Sequence, residues 1–199
     1  PLDPDQIQPA SLDLRLGERA WRIRASFLPG RDHRVEDKLA RFRLHEIDLS
    51  RGAVLETGCV YLVPLLEELA LPPDIAASAN PKSSTGRLDI FTRVLADRAL
   101  GFDTIEAGYR GPLYLEISPA TLPVIMRTGS RLSQIRFRRG NAQLADAELL
   151  ALHRARSLVD TAEPSIHAGG IGVSIDLKGD AKGLVGYRGK RHTGVIDVD

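Results

Sequence analysis

Cysteine is nearly absent from this chain, which has a single one, Cys59, among its 199 residues. One cysteine excludes an internal disulfide and is typical of proteins that stay in a reducing compartment. We therefore expect a cytoplasmic protein. The hydrophobic fraction of 43% and the charged fraction of 27% are those of an ordinary globular domain.

Aromatic residues and net charge are also low, at 5% and +1. The near-balanced charge lacks the strong positive field that a dedicated DNA or RNA binder needs, although a small anionic ligand requires only a local basic cluster. The most apolar stretch, residues 54–71, is interrupted by Glu56, Glu67 and Glu68, so it cannot span a bilayer. We expect neither nucleic acid nor a membrane as a partner.

Several familiar signatures of catalysis and binding are missing. The sequence contains no G-x-x-x-x-G-K-S/T phosphate loop, no G-x-G-x-x-G motif and no G-x-S-x-G motif. Zinc-dependent cytidine deaminases are excluded, because they need two cysteines and an H-x-E motif. We expect no metal site built from protein side chains. No two histidines stand at metal-ligand spacing, and surface or turn positions are expected for His33, His45, His153, His167 and His192.

Short stretches that alternate apolar and polar residues, separated by turn dipeptides, dominate the chain. They predict strands at residues 11–16, 21–28, 53–65, 113–117, 124–126, 132–137 and 171–177. Helices are predicted only at residues 84–94 and 145–156. Many short strands with regular turns indicate a mainly β fold, either a barrel or a sandwich.

Residues 80–87, NPKSSTGR, place two cations and three hydroxyls in front of the first predicted helix. A helix start offers free N–H groups and partial positive charge, and Arg87 can bind a phosphate with two donors. The segment is therefore a candidate polyphosphate site. A capped helix start with solvated charges explains the same residues equally well.

Residues 105–117 form a turn that leads into a strand. Leu113, Leu115 and Ile117 share one face of this strand, whereas Tyr114 and Glu116 share the other. Glu116 is a candidate general base or acid if that second face lines a pocket. It is an ordinary polar residue if the face meets solvent.

In residues 128–139, Gln134 and the arginines are candidate phosphate contacts. For most of these arginines, an exposed strand with solvated side chains is the simpler interpretation.

Four segments, in this order, resemble the dCTP deaminase/dUTPase superfamily. Residues 8–17 (QPASLDLRLG) are similar to its opening strand, and residues 82–87 (KSSTGR) to its R/K-S-S-x-x-R phosphate motif. Residues 105–116 resemble its I-D-x-G-W/Y-x-G…L-E motif, and residues 129–134 (GSRLSQ) its late G-x-R/K-I/L-x-Q strand. The match covers residues 6–139 and looks most like the long bacterial 2'-deoxycytidine 5'-triphosphate deaminases, in which two such units lie in one polypeptide.

The resemblance implies a distorted jelly-roll or β-barrel of the dUTPase-like type with a few short helices. We predict one domain over residues 1–199, with a core at about residues 6–140 and a C-terminal extension at 141–199, forming one half of a longer tandem chain. The resemblance also implies self-association as trimers or pseudo-trimers. Active sites would then lie between subunits, with the serine motif and the glutamate strand contributed by different copies.

Roles for individual residues follow from the same resemblance. Glu116 matches the catalytic glutamate, and Ser83 and Arg87 match its supporting serine and arginine. Five further residues match substrate-binding positions: Lys82 and Ser84 at the phosphates, Glu106 at the sugar, Gln134 in the late strand, and Tyr187 in a tail that covers the triphosphate. Mg²⁺ would be bound with the triphosphate, and zinc would not be needed.

The resemblance favours deamination over diphosphate hydrolysis. dUTPases carry an aspartate where this chain has Glu106, and they do not place a glutamate where it has Glu116. We predict a dCTP deaminase that forms dUTP and ammonia with a glutamate-activated water. The alternatives are a dUTP diphosphatase, a bifunctional enzyme that forms dUMP, and a non-catalytic nucleotide-binding unit of a tandem chain. One departure is Thr104, where deaminases often carry an arginine.

Overall fold

A computed structural model of the chain describes residues 2–141, 143–190 and 194–199. These residues divide into two compact units. The first contains the chain up to Arg139 together with C-terminal residues from Gly189 onward, and the second contains Gly140–Arg188. No helix among the described residues is long and apolar enough to cross a membrane. The single domain over residues 1–199, as half of a tandem chain, stays a prediction.

Strands dominate the first unit. It begins with a short 3-10 helix at Pro4–Gln6, and its two α-helices are α1 (Val35–Phe42) and α2 (Ser83–Arg87). Its strands are β1 (Leu12–Leu14), β2 (Arg19–Ile23), β3 (Arg43–Asp48), β4 (Ala53–Leu55), β5 (Val60–Ala70), β6 (Ile75–Pro81), β7 (Ile90–Ala96), β8 (Thr104–Ile105), β9 (Arg110–Pro119), β10 (Val124–Met126), β11 (Ser133–Arg139) and, after the second unit, β14 (Ile196–Asp197). The second unit contains α3 (Asp146–Ala155), β12 (Ile166–His167) and β13 (Gly170–Ile171).

Three sheets surround the main core of the first unit. Their strand orders are β3-β2-β5-β9-β7, β1-β11-β6-β8 and β14-β10-β4. Leu115 of β9, Ile135 of β11 and Met126 of β10 come from the three different sheets, and all three are fully buried in one apolar cluster. The predicted mainly β, dUTPase-like fold is confirmed, although the described strands form separate sheets around the core rather than one closed barrel.

A second, smaller apolar cluster covers the other face of the five-stranded sheet. Strand residues that alternate with the main core, such as Leu62 and Tyr114, pack there with Val35 and Leu39 of α1. The Val35 N–H donates to Asp97 Oδ1 at 2.8 Å, which fixes the start of α1. The face of β9 that carries Tyr114 and Glu116 is thereby covered rather than open to solvent.

The helix predicted at residues 84–94 is wrong beyond its first turn. Helix α2 ends at Arg87, and Asp89 turns the chain with a positive φ of 55°. Residues Ile90–Ala96 then form β7, in which Ile90, Thr92 and Val94 are buried and Phe91 is exposed. This alternation has the period of a strand, and seven paired positions along β9 hold it in the sheet.

Two strand predictions also need correction. The strand predicted at residues 53–65 is broken by a turn that contains Gly58, and β4 and β5 pair in different sheets. Of the strand predicted at residues 171–177 only the first residue lies in β13, and Val173, Ile175 and Leu177 are 78–80% exposed. Without a neighbouring strand, alternation alone does not form a ladder. Elements with no counterpart among the predictions include the 3-10 helix, α1, β3, β6, β8 and β12.

Replacement of a core residue of β9 tests whether the main cluster holds the fold together. Leu115 is 0% exposed, so Leu115→Ala should lower the free energy of unfolding by about 2–5 kcal/mol through lost burial and the cavity left behind. Leu66→Ala on β5 is the matched control, because Leu66 is 46% exposed and should change stability by less than about 0.5 kcal/mol. Urea unfolding would measure both, and equal losses would contradict the described core.

Candidate active site

The KSSTGR segment forms α2 at the end of the four-stranded sheet. The Lys82 N–H and the Thr85 hydroxyl both donate to the carbonyl oxygen of Leu132, at 2.8 Å each. Thr85 is buried by this contact, whereas Ser83, Ser84 and Arg87 are exposed. In the described part of the chain no hydrogen bond or ion pair engages these three side chains. They are therefore presented to a ligand or to another molecule.

A polar cluster next to α2 brings Lys82 and Gln134 together. The Lys82 ammonium pairs with the carboxylate of Asp13, which is 2% exposed. In the sheet, Gln134 of β11 lies opposite both Asp13 of β1 and Asn80 of β6. Its Oε1 accepts a hydrogen bond from the Ser11 hydroxyl at 2.7 Å. Two of the predicted phosphate contacts thus lie beside the exposed hydroxyls of α2.

Glu116 lies in the middle of β9, between β5 and β7, and is only 2% exposed. Arg93 of β7 stands directly opposite in the register. Its Nε and Nη2 donate to Glu116 Oε1 at 3.1 and 2.5 Å. Glu116 Oε2 is also buried and has no hydrogen-bond partner among the described residues. A buried carboxylate with one satisfied oxygen and one free oxygen can act as a base on a molecule that reaches it.

Two other titratable groups lie near Glu116, namely Asp103, which is partly buried, and Tyr114, which is buried. Asp103 Oδ1 accepts the Val94 N–H at 2.8 Å, and burial raises the pKa of the Asp103 carboxyl, with a smaller contribution from the negative charge of Glu116. Burial also raises the pKa of the Tyr114 phenol, which therefore stays protonated at neutral pH. The surroundings of Glu116 are thus poorly hydrated, and charges placed there act strongly on one another.

A cavity of about 1180 Å³ opens beside this face of β9. Tyr114, which precedes Glu116 by two residues on the same face, lines it together with Glu106 and Tyr109. The Tyr109 hydroxyl donates to the Pro112 carbonyl at 2.6 Å and accepts the Asp97 N–H at 3.1 Å. Four arginines also line the cavity: Arg31, Arg34, Arg98 and Arg110. Three acids, Glu36, Asp97 and Glu106, line it as well, so the cavity has the size of a ligand site and carries charges of both signs.

The predicted site residues fall into separate groups. Lys82, Ser83, Ser84, Arg87 and Gln134 lie at one end of the four-stranded sheet, and Glu106 lies with the cavity beside the five-stranded sheet. Among the described residues no hydrogen bond or ion pair joins the α2 group to Glu116. Tyr187 belongs to the second unit and is 95% exposed.

Arg93 is the functional candidate that was not predicted from the sequence. It lies inside the segment that was interpreted as a helix, where it would have had no fixed relation to Glu116. The available signal was the run of β-branched and aromatic residues at positions 90–94, which favours a strand and would place Arg93 on the face opposite Val94. Of the cavity arginines, Arg31 and Arg98 lie in turns, Arg34 immediately precedes α1 and Arg110 begins β9, and no pattern in the sequence brings these segments together.

The chain is similar in sequence and in structure to several known proteins. The chain is 36% identical over 138 residues, 69% of its length and 68% of the relative, to a "dCTP deaminase, dUMP-forming" from Beutenbergia cavernae. It is 34% identical over 142 residues, 69% of its length and 66% of the relative, to a dCTP deaminase from Halorubrum lacusprofundi. A crystal structure of 2'-deoxycytidine 5'-triphosphate deaminase from Agrobacterium tumefaciens matches all of the chain with a TM-score of 0.84 and 66% identity, and the chain spans 59% of its length.

Two family descriptions together account for nearly the whole sequence. Residues 1–141 match the 2'-deoxycytidine 5'-triphosphate deaminase (DCD) N-terminal domain, and residues 145–199 match the C-terminal domain. The buried glutamate of β9 and the exposed serines of α2 both lie within the first match. Because these matches cover nearly the whole sequence, the chain belongs to the 2'-deoxycytidine 5'-triphosphate deaminase family.

Proposed function

We propose that this chain catalyses the hydrolytic deamination of dCTP to dUTP and ammonia, with Glu116 as the general base. The observation that carries the proposal is the state of Glu116, a buried carboxylate with one oxygen paired and the other without a partner. Membership of the family, and the dCTP deaminases among the similar proteins, support the choice of substrate.

In this mechanism, Glu116 moves protons between water, the base and the leaving group. Oε2 takes a proton from a water molecule, and the resulting hydroxide adds to C4 of cytosine. The carboxylic acid delivers this proton to N3. The restored carboxylate then takes the proton of the new C4 hydroxyl and passes it to the departing amino group, so that ammonia leaves, C4 becomes a carbonyl and the carboxylate is restored again. General acid–base help of this kind contributes about 10²–10⁴-fold in rate.

The triphosphate is assigned to the α2 group. The exposed hydroxyls of Ser83 and Ser84 and the guanidinium of Arg87 can donate to phosphate oxygens without first breaking contacts within the chain. Lys82 and Gln134 add donors from the adjoining polar cluster. Glu106 lines the cavity wall, and we propose that it accepts a hydrogen bond from the sugar. Tyr187 is proposed as a contact from the C-terminal tail.

We propose that Mg²⁺ is bound with the triphosphate rather than by a dedicated protein site. Among the described residues no group of three or more His, Cys, Asp or Glu side chains is arranged to hold a metal ion. Mg²⁺ usually keeps several waters and is held through substrate phosphates. When bound, it would reduce the negative charge that Lys82 and Arg87 must offset.

We propose that copies of the chain associate, because no hydrogen bond or ion pair among the described residues joins the two groups. If α2 of one copy met the cavity of another, the phosphates and the base of one nucleotide would reach both, as trimers or pseudo-trimers with shared sites require. This assembly, and a cytoplasmic location suited to the free thiol of Cys59, are further parts of the proposal.

Glu116→Gln tests the assignment of the base. The amide keeps the shape of the side chain but cannot accept a proton, so kcat for ammonia release should fall by about 10²–10⁴-fold. Stabilisation by dCTP in a thermal melt should remain, because the phosphate contacts are intact. Glu18→Gln, at an exposed glutamate, is the matched control and should leave kcat unchanged. Near-full activity of Glu116→Gln would exclude this mechanism.

The two cations around α2 should respond differently to substitution. Arg87→Gln removes an exposed charge and should raise KM for dCTP roughly 10–100-fold, with little change in melting temperature, since a charged hydrogen bond contributes about 1.5–3 kcal/mol. Lys82→Met should also lower stability by about 1–3 kcal/mol, because it leaves the buried carboxylate of Asp13 unpaired. Steady-state kinetics and thermal melts separate the two effects. An unchanged KM for Arg87→Gln would remove Arg87 from the phosphate site.

A second candidate function is the bifunctional reaction that ends at dUMP, because several of the similar proteins are dUMP-forming dCTP deaminases. The full chain should be incubated with dCTP and Mg²⁺, and ammonia, pyrophosphate and nucleotides resolved over time. The proposed activity gives one ammonia per dUTP and no pyrophosphate. Equal amounts of ammonia and pyrophosphate with dUMP would establish the bifunctional reaction. Binding of dCTP without any product would leave only the non-catalytic nucleotide-binding unit.

A further inference from the structure

Arg93 reaches Glu116 across the boundary between two strands. The pairing of β7 with β9 sets the two residues opposite each other and on the same face of the sheet. Both the Nε and the Nη2 donors of Arg93 converge on Oε1 of the carboxylate, at 3.1 and 2.5 Å. One carboxylate oxygen is thus engaged by two charged donors, and its partner oxygen by none in the described chain.

The guanidinium of Arg93 is held from other sides as well. Nη2 donates to the Ser26 hydroxyl at 2.7 Å. The ring centroid of Phe102 lies 3.7 Å from the guanidinium carbon, and that of Phe91 lies 5.0 Å away. Stacking on rings and a hydrogen bond to a neutral hydroxyl restrain the plane of an arginine without cancelling its charge. Arg93 is therefore a fixed support rather than a mobile counter-ion.

We propose that Arg93 is the positioning residue for Glu116, holding Oε1 so that Oε2 is the oxygen that takes the proton from the attacking water. This inference rests on the proposed deamination. The proton that leaves water is accepted by Oε2, while Oε1 stays bound to the guanidinium throughout. The contact with Arg93 restrains rotation of the carboxylate, so that Oε2 already has the required orientation before the substrate binds.

Few charged groups compete with this pair. From β7 the facing charge is Arg93 itself, and from the loop before β8 it is Asp103. From β9 the neighbour on the same face is Tyr114, and β5 contributes the apolar Leu62 opposite Glu116. Loss of Arg93 would therefore leave a buried carboxylate next to another acid and without a cation.

The test is steady-state kinetics of Arg93→Met and Arg93→Lys in the full chain. We expect kcat of Arg93→Met to fall about 100-fold, as is typical when a reacting group loses its orientation, with KM for dCTP changed less than about threefold. The loss should appear in kcat rather than in KM, because Arg93 contacts the proposed base and not the substrate. Arg93→Lys keeps the charge, so it should restore part of kcat.

The control is Arg19→Met, which removes the same charge from an exposed pair with Glu46 in the same sheet. It should leave kcat and KM unchanged. If Arg93→Met does not fold, Arg93→Lys carries the test: its two-donor contact is lost, so its kcat should still fall about tenfold. Wild-type kcat in the Arg93 variants would overturn the inference, as would a rise in KM alone, which would make Arg93 a substrate contact. Absence of deamination by the wild-type chain would instead overturn the proposed function.

Discussion

The ion pair between Arg93 and Glu116 is the interaction on which the proposed chemistry depends. A carboxylate that is 2% exposed is costly to keep ionised unless a cation and hydrogen bonds compensate it. Here the compensation comes from one side only, so that one oxygen is satisfied and the other is available. The pair exists because β7 runs beside β9 in one particular register, and a shift of one residue would turn Arg93 to the opposite face.

The rest of the first unit maintains that register. Leu113, Leu115 and Ile117 anchor one face of β9 in the main core, and the same alternation puts Tyr114 and Glu116 on the other face. Helix α1 covers part of this second face, and the loop before β8 places Phe102 on the guanidinium of Arg93. Packing on one side of a strand thereby fixes the direction of an acid–base group on the other.

The polar groups of the proposed site are divided between two sheets of the first unit. Ser83, Ser84 and Arg87 are exposed and have no partners in the described chain, as expected of side chains that meet a ligand. Glu116 has the opposite character, since it is buried and already oriented. In the proposed reaction, one nucleotide would have to contact the exposed group with its phosphates and Glu116 with its cytosine ring.

The sequence was sufficient where chemistry depends on neighbours along the chain. The alternation around Glu116 placed it correctly on the face opposite the leucines, and the ordered motifs identified the mainly β fold and the family. Contacts between segments that are distant along the chain could not be predicted from the sequence. The helix assigned to residues 84–94 failed because the pairing of β7 with β9 overrides the local pattern, and with it the partner of Glu116 was missed. The cavity arginines were missed for the same reason, because only tertiary structure brings residues 31–34 close to residues 98–110.

The central claim is that water, with its proton taken by Glu116, attacks C4 of cytosine. The most direct measurement is turnover of dCTP by the full chain in water enriched in ¹⁸O, with mass spectrometry of the base and of the phosphates. The account predicts that one ¹⁸O atom enters the uracil ring for each ammonia released. Turnover that labels only phosphate oxygens, and leaves the cytosine amino group in place, would contradict it.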